Sequence, residues 1–138
     1  MTNYAKPLPT LNEENRPFWD AAKRLELRMQ KCLDCGHIRY PINHVCPKCL
    51  SGRAEWQQLS GRGEVFSFIV FHHVYHPGFA QDIPYNVAMI QLEEGPRMIS
   101  NVVGVPNNQV KVGDKVDVTF DQVTEEVTIP HFKLRKSD

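Results

Sequence analysis

Cys32-Leu33-Asp34-Cys35 and Cys46-Pro47-Lys48-Cys49 form two C-x-x-C knuckles separated by ten residues. In a knuckle the two-residue spacer lets both sulfurs converge while the following backbone N–H groups point at them. Gly36 suits the position after the second sulfur, where a positive φ is often wanted. Two knuckles offer four thiolates in a tetrahedron, the closed coordination of structural zinc. The chain has four cysteines and this site uses them all, so none is left as a nucleophile. Two disulfides are a competing use, disfavoured in a cytosolic setting. A rubredoxin-like iron site is another, because Cys-Pro-x-Cys also occurs there. The short inter-pair loop favours zinc, and colour separates the two, since ferric thiolate absorbs visible light. A closed tetrahedron has no position for water or substrate, so the metal is expected to be structural. Its binding free energy stands in for a core that the 18 residues from Cys32 to Cys49 cannot build. His37 and His44 lie in this segment, but four cysteines in register need neither.

Other reactive side chains assemble poorly. His72, His73 and His76 cluster where a strand enters a long loop, but adjacent strand residues point to opposite faces. No acidic residue joins them before Asp82. There is no Gly-rich phosphate loop, no G-x-S-x-G and no H-E-x-x-H. No nucleophile, base and oxyanion hole come together, which points away from catalysis by this chain.

The elements that position the cysteines follow from periodicity. Residues 1–10 hold Pro7 and Pro9 and read as an extended arm. Thr10 and Glu13 have capping-box spacing, and Asn15 followed by Pro17 is a second helix start. Phe18, Ala21, Ala22 and Leu25 fall at helical spacing with Trp19 on the flank, predicting a helix of two to three turns. So short a helix is unstable alone, and its aromatics either pack on the chain's own core or dock into a partner. From Leu27 the period becomes two, and Glu55 to Leu59 reads as the strand returning from the knuckles. Ser60-Gly61-Arg62-Gly63 is turn chemistry. Five strands are expected beyond it: Val65–Phe71, apolar on both faces; Asn86–Leu92 and Arg97–Val103 around Glu93-Glu94-Gly95-Pro96; Val116–Phe120; and Val127–Leu134. Pro130 suggests an edge or a bulge in the last. Five short strands fit a small OB-type barrel. The expected class is mainly β, divided into arm and helix (1–26), zinc ribbon (27–60) and barrel (61–138).

Sixteen basic residues balance sixteen acidic ones, without the basic excess typical of proteins that hold nucleic acid through its phosphates. No apolar run approaches bilayer-spanning length, and Met1 to Lys6 lack a signal-peptide pattern, so a cytoplasmic location with no membrane contact is expected.

Taken in order, these features resemble one family. They are Phe18-Trp19-Asp20-Ala21-Ala22, Cys32-x-x-Cys35-Gly36-His37, Arg39-Tyr40-Pro41, Cys46-Pro47-x-Cys49, Ser60-Gly61-Arg62-Gly63, Pro84-Tyr85, Leu92-Glu93-Glu94-Gly95-Pro96-Arg97 and Val112-Gly113-Asp114-Lys115-Val116. The chain resembles the zinc-ribbon/OB-fold proteins associated with thiolases and acyl-CoA metabolism. Pro41-Ile42 replaces the family's usual double proline. The resemblance implies a non-catalytic subunit of a thiolase-fold partner that cleaves, condenses or transfers acyl groups on CoA thioesters. It also implies structural zinc on Cys32, Cys35, Cys46 and Cys49, and CoA or acyl-CoA as ligand of the complex. Partner or CoA contacts are expected from Phe18, Trp19, Arg39, Tyr40, His73, Tyr75, Phe79 and Tyr85, with Arg62, Arg97 and Lys115 as open choices for the phosphates. The alternative is a single-stranded nucleic-acid-binding module, since ribbons and OB barrels also serve that purpose.

Overall fold

A computed structural model describes residue 6, residues 8–73 and residues 76–135; Tyr75 therefore lies outside the described residues. The single α-helix among them, α1 (Arg16–Lys23), starts at the Asn15/Pro17 signal and not at Thr10. Asn12 and Asn15 exchange side-chain acceptors for each other's backbone N–H at 2.9 Å, and Asn15 Nδ2 donates to Thr10 O at 2.8 Å. These bonds hold the turn in front of the helix and leave no need for a Thr10–Glu13 box. The helix ends where Leu25 adopts φ 64. Glu26 N–H donates to Ala21 O and Leu25 N–H to Ala22 O, both at 2.9 Å, the double bond of a Schellman cap. Leu25 thus caps the helix and is exposed, rather than joining its apolar face. An L-residue pays about 1 kcal/mol for that left-handed backbone. Leu25→Gly is expected to raise stability by about 0.5–1 kcal/mol, read as a higher denaturant midpoint at unchanged m-value.

Two sheets follow. The ribbon sheet has the order β2-β1-β3, from β1 (Leu27–Cys32), β2 (Ile38–Arg39) and β3 (Ala54–Leu59). β1 and β3 are antiparallel from Leu27 opposite Leu59 to Cys32 opposite Ala54, so the returning strand comes back where expected. The second sheet comprises β4 (Arg62–Phe71), β5 (Tyr85–Leu92), β6 (Arg97–Ser100), β7 (Val102–Val103), β8 (Lys115–Gln122) and β9 (Thr128–Leu134). Its order is β6-β5-β4-β8-β9-β7.

The expected third barrel strand, 97–103, is two strands. β6 pairs antiparallel with β5, whereas β7 pairs parallel with β9. The switch falls at Asn101, whose side chain donates to Asn86 O and whose backbone carbonyl accepts from Phe132 N–H at 2.9 Å. Asn86 fixes the far side: its Oδ1 accepts from Val102 N–H and its Nδ2 donates to Val102 O, each at 2.8 Å. The sheet is therefore not a closed ring of hydrogen bonds. Its two terminal strands, β6 and β7, are consecutive in sequence, with Asn101 between them.

Other departures have local causes. β4 meets β8 only over Arg62–Glu64 and bulges between Val65 and Ser67. Beyond the bulge its outer face is open, and Phe66 (45%) and Ile69 (56%) are exposed rather than central to a barrel. Pro130 sits in a strand paired on both sides, but beyond the two residues facing β7. Its carbonyl accepts from Ser100 Oγ at 3.0 Å, so the side lacking an N–H meets a side chain and not a ladder.

β5 alternates cleanly, turning Asn86, Ala88, Ile90 and Leu92 inward. Phe18, Leu27, Met29 and Leu59 from the helix and ribbon share one apolar cluster with Val65, Ile90, Val116 and Phe132 from the second sheet. Each such large side chain contributes about 1.5–3 kcal/mol on burial. Ribbon and barrel thus hold one another through a common core. Gly61 marks the seam at φ +78, where an added Cβ would lie 2.3 Å from Val118 Cγ1.

Candidate metal centre and contact surfaces

Four sulfurs converge at the end of the ribbon. The Sγ atoms of Cys32, Cys35, Cys46 and Cys49 all lie within 4.8 Å of one another. Cys32 Sγ is 3.5 Å from Cys49 Sγ, and Cys35 Sγ is 3.5 Å from Cys46 Sγ. A tetrahedron with metal–sulfur bonds of about 2.3 Å has edges of about 3.8 Å, which these spacings bracket, whereas a disulfide needs about 2 Å. The four thiols fit one tetrahedral thiophilic ion.

The two knuckles repeat one local design. Gly36 N–H donates to Cys32 O at 3.0 Å, and Leu50 N–H donates to Cys46 O at 2.8 Å. Gly36 has φ 80 as its position demands, and Leu50 takes the same role at φ 64. Backbone N–H groups also reach the sulfurs, Cys35 to Cys32 Sγ at 3.5 Å and Lys48 to Cys46 Sγ at 3.4 Å. The Cys35 N–H leads the effects that lower the Cys32 thiol to about 6. Although the Ser51 N–H favours the Cys49 thiolate, the adjacent Cys32 sulfur and burial outweigh it and push Cys49 up to about 12. Burial opposes ionisation of Cys46, but the Cys49 and Lys48 N–H groups outweigh it and lower that thiol too, whereas Cys35 is raised like Cys49; a divalent cation would favour the thiolate at all four. Asp34 ties the knuckles together, accepting from Ser51 Oγ and from Arg53 Nη1 at 3.1 Å. Neither histidine of the segment joins the cluster; His44 instead lies 3.4 Å from Glu14.

The contact residues expected from sequence fall in two places. Phe18 is 3% exposed, within the core, edge-on to Trp19 at 5.0 Å and 6.0 Å from the Tyr40 ring. Trp19 and Tyr40 are half-buried on its outer side and, with Pro41 and Ile42, line a shallow groove against the arm. Burial raises the Tyr40 hydroxyl above its ordinary value. At the barrel loop, Phe79 stacks on Tyr85 at 5.1 Å, and Tyr85 continues onto Phe71 at 5.3 Å. His73, at the entry to the same loop, is exposed. His76 shapes the loop, its Nδ1 accepting from Gly78 N–H at 2.9 Å.

One side chain of interest escaped the sequence reading. His131, opposite Thr119, lines a groove of about 500 Å³ beside Phe79 and Tyr85. Burial lowers its affinity for a proton, and its Nδ1 is buried with no hydrogen-bond partner among the described residues. Arg39 was expected on a contact surface but is 4% exposed, held by Gln30 Oε1 and Asn43 O. A β-strand arginine gives no sequence signal of burial, because the residues that enclose it come from outside its own strand.

The ribbon of interleaved knuckles on an incompletely closed OB sheet defines the class: a rubredoxin-like zinc ribbon followed by an OB-fold domain. The family description "ChsH2, rubredoxin-like zinc ribbon domain" matches residues 19–55, and "ChsH2, C-terminal OB-fold domain" matches residues 56–121. The chain belongs to this family, also known by the name DUF35. It is 33% identical to a DUF35 domain-containing scaffold protein of Methanothermobacter thermautotrophicus, over 84% of this chain and 87% of that protein. It is 35% identical to a probable enoyl-CoA hydratase alpha subunit of Thermomonospora curvata, over 93% of this chain but only 40% of that longer protein. Benzoylsuccinyl-CoA thiolase subunit BbsA of Thauera aromatica is 28% identical over 80% of this chain and 76% of its own length. Among solved structures, a chain of the Ltp2-ChsH2(DUF35) aldolase superposes with a TM-score of 0.82 at 35% identity, covering 92% of this chain and 98% of that one. No helix among the described residues is long and apolar enough to cross a membrane.

Proposed function

We propose that this chain is a non-catalytic accessory subunit of a thiolase-like acyl-CoA enzyme, holding its partner and helping to shape the passage for the CoA arm. The observation that carries the reading is the use of all four cysteines in one closed cluster. What remains is a scaffold with no cysteine outside that cluster to serve as a nucleophile for thioester chemistry. Relatives named as a thiolase subunit, an aldolase complex and a hydratase subunit, with a fourth named a scaffold, agree with that role. The metal is zinc, and its work is to fold the ribbon. Trp19 and Tyr40 beside the helix, and His73, Phe79 and Tyr85 on the barrel loop, are the contact surfaces; Phe18 and Arg39 support them from beneath. The arm and helix (1–26), ribbon (27–60) and barrel (61–138) act as one clamp, and the protein works in the cytoplasm.

Half-buried aromatics with polar tips suit a protein interface, since they bring large apolar area at small entropic cost. The test is purification of the tagged chain from its native host under mild conditions, followed by identification of what accompanies it. A thiolase-fold polypeptide in a fixed ratio is expected. Recovery of the chain alone, or with nucleic acid in a salt-sensitive complex, contradicts the reading.

A further inference from the structure

A groove of about 560 Å³ runs between the ribbon and the β5–β6 hairpin, with His37, Arg39 and Tyr40 on one wall and Gln91, Pro96 and Arg97 on the other. Among its described lining residues there is no Asp or Glu. That asymmetry is local, because the chain's totals of acidic and basic residues are equal, and the groove beside Phe79 contains both Asp82 and Asp121.

Arg39 is the more unusual of the two arginines. Its Nε and Nη2 donate only to neutral acceptors, Gln30 Oε1 at 3.2 Å and Asn43 O at 3.0–3.2 Å, and Nη1 has no partner among the described residues. A buried guanidinium without a counter-charge is costly, and an anion beside it would offset that cost. Arg97 is exposed and preorganised. Its Nε donates to Gln91 Oε1 at 2.8 Å and its guanidinium lies 3.8 Å over the Phe66 ring, which fixes the plane of the fork. No ion pair engages it among the described residues. The two other cations open as phosphate contacts are already neutralised locally: Arg62 Nε is 3.2 Å from Glu93, and Lys115 Nζ is 2.9 Å from Glu64.

The groove's volume lies in the small-molecule range of roughly 300–1,000 Å³, more than a single carboxylate needs. Tyr40 and Pro96 add flat apolar walls beside the cations. We propose that this groove takes the phosphorylated nucleotide end of the acyl-CoA, with the exposed Arg97 meeting phosphate oxygens, the buried Arg39 charge lying beneath them and Tyr40 beside the base. The inference rests on the acyl-CoA reading above and gives it a place for the charged end of the ligand. A guanidinium fork matches phosphate geometry better than an ammonium does, which agrees with arginine at both positions.

The test titrates the zinc-loaded chain with adenosine 3′,5′-bisphosphate, following backbone amide shifts and binding heat. Shifts are expected at 37–41 and 95–97, with affinity that falls as salt rises. Arg97→Ala, an exposed position, is expected to weaken binding about tenfold or more. Arg62→Ala and Lys115→Ala should stay within about twofold, because both side chains are paired at the surface. Adenosine without phosphates should not compete, and neither should an acidic peptide. No binding by the chain, equal losses in all three variants, or preference for the acidic peptide would overturn the proposal. The subunit reading is scored separately by co-purification: a chain that brings down a thiolase-fold partner yet fails this titration keeps its role and loses this groove.

Discussion

Cys46→Ser is expected to release the metal and dissolve the ribbon before it changes any chemical step. Cys46 is fully buried, and its sulfur lies 3.5 Å from that of Cys35 in the opposite knuckle. A serine hydroxyl stays protonated and is a poor ligand for a soft-tolerant ion, so three thiolates would remain. Structural zinc sites contribute about 10–16 kcal/mol of apparent binding free energy at neutral pH. Losing one of four ligands therefore costs roughly 3–4 kcal/mol, or several hundredfold in metal affinity. The consequence spreads, because Leu27, Met29 and Leu59 of the ribbon sheet belong to the shared core. Native mass spectrometry and chelator competition read the metal, and co-elution reads assembly. The expected pattern is metal loss together with loss of the complex, while any complex that still forms turns over at the normal rate. A soluble, metal-free variant that assembles normally would contradict a structural role for the ion.

The second large effect is expected at Asn86, where one carboxamide holds the strand switch. It is buried, bonded to both backbone groups of Val102, and its Nδ2 also donates to Asn107 Oδ1 at 3.0 Å. Asn86→Ala strips partners from a buried N–H and a buried carbonyl together. At about 1–3 kcal/mol for each unsatisfied group, the loss is roughly 3 kcal/mol. For a chain of this length that lowers the thermal midpoint by roughly 10 °C, measured on the zinc-loaded protein. Asn86→Asp keeps the acceptor for Val102 N–H and should fall between the two. Equal midpoints for Asn86→Ala and the unsubstituted chain would mean that the β6–β7 break is held by something else.

These two sites differ in how plainly the sequence announces them. The metal centre was legible because its information is local: two C-x-x-C spacings determine which sulfurs meet, and Gly36 marks the turn that aims them. The helix start at Asn15-Pro17 and the strand over Asn86–Leu92 were legible for the same reason. Asn86 and Asn101 were not, because a strand that changes partners looks like one strand until its neighbours are known. Leu25 fitted the helical period, yet the chain had already turned there, with a leucine in a place glycine usually takes. Phe18 and Arg39 show the limit for surfaces. The family resemblance suggested contact with a partner, whereas packing places both beneath their neighbours and leaves Trp19 and Tyr40 further out. The groove between ribbon and barrel depended on bringing Arg39 and Arg97, 58 positions apart, onto facing walls.

The central claim is that this chain builds a site for acyl-CoA chemistry and performs none of it. The most direct measurement compares acyl-CoA turnover by the purified zinc-loaded chain, by the thiolase-fold polypeptide that co-purifies with it, and by the two recombined. Turnover confined to samples containing the partner, and raised when this chain is added back, is the expected result. Thioester turnover by this chain alone, or a partner indifferent to its presence, would contradict the account.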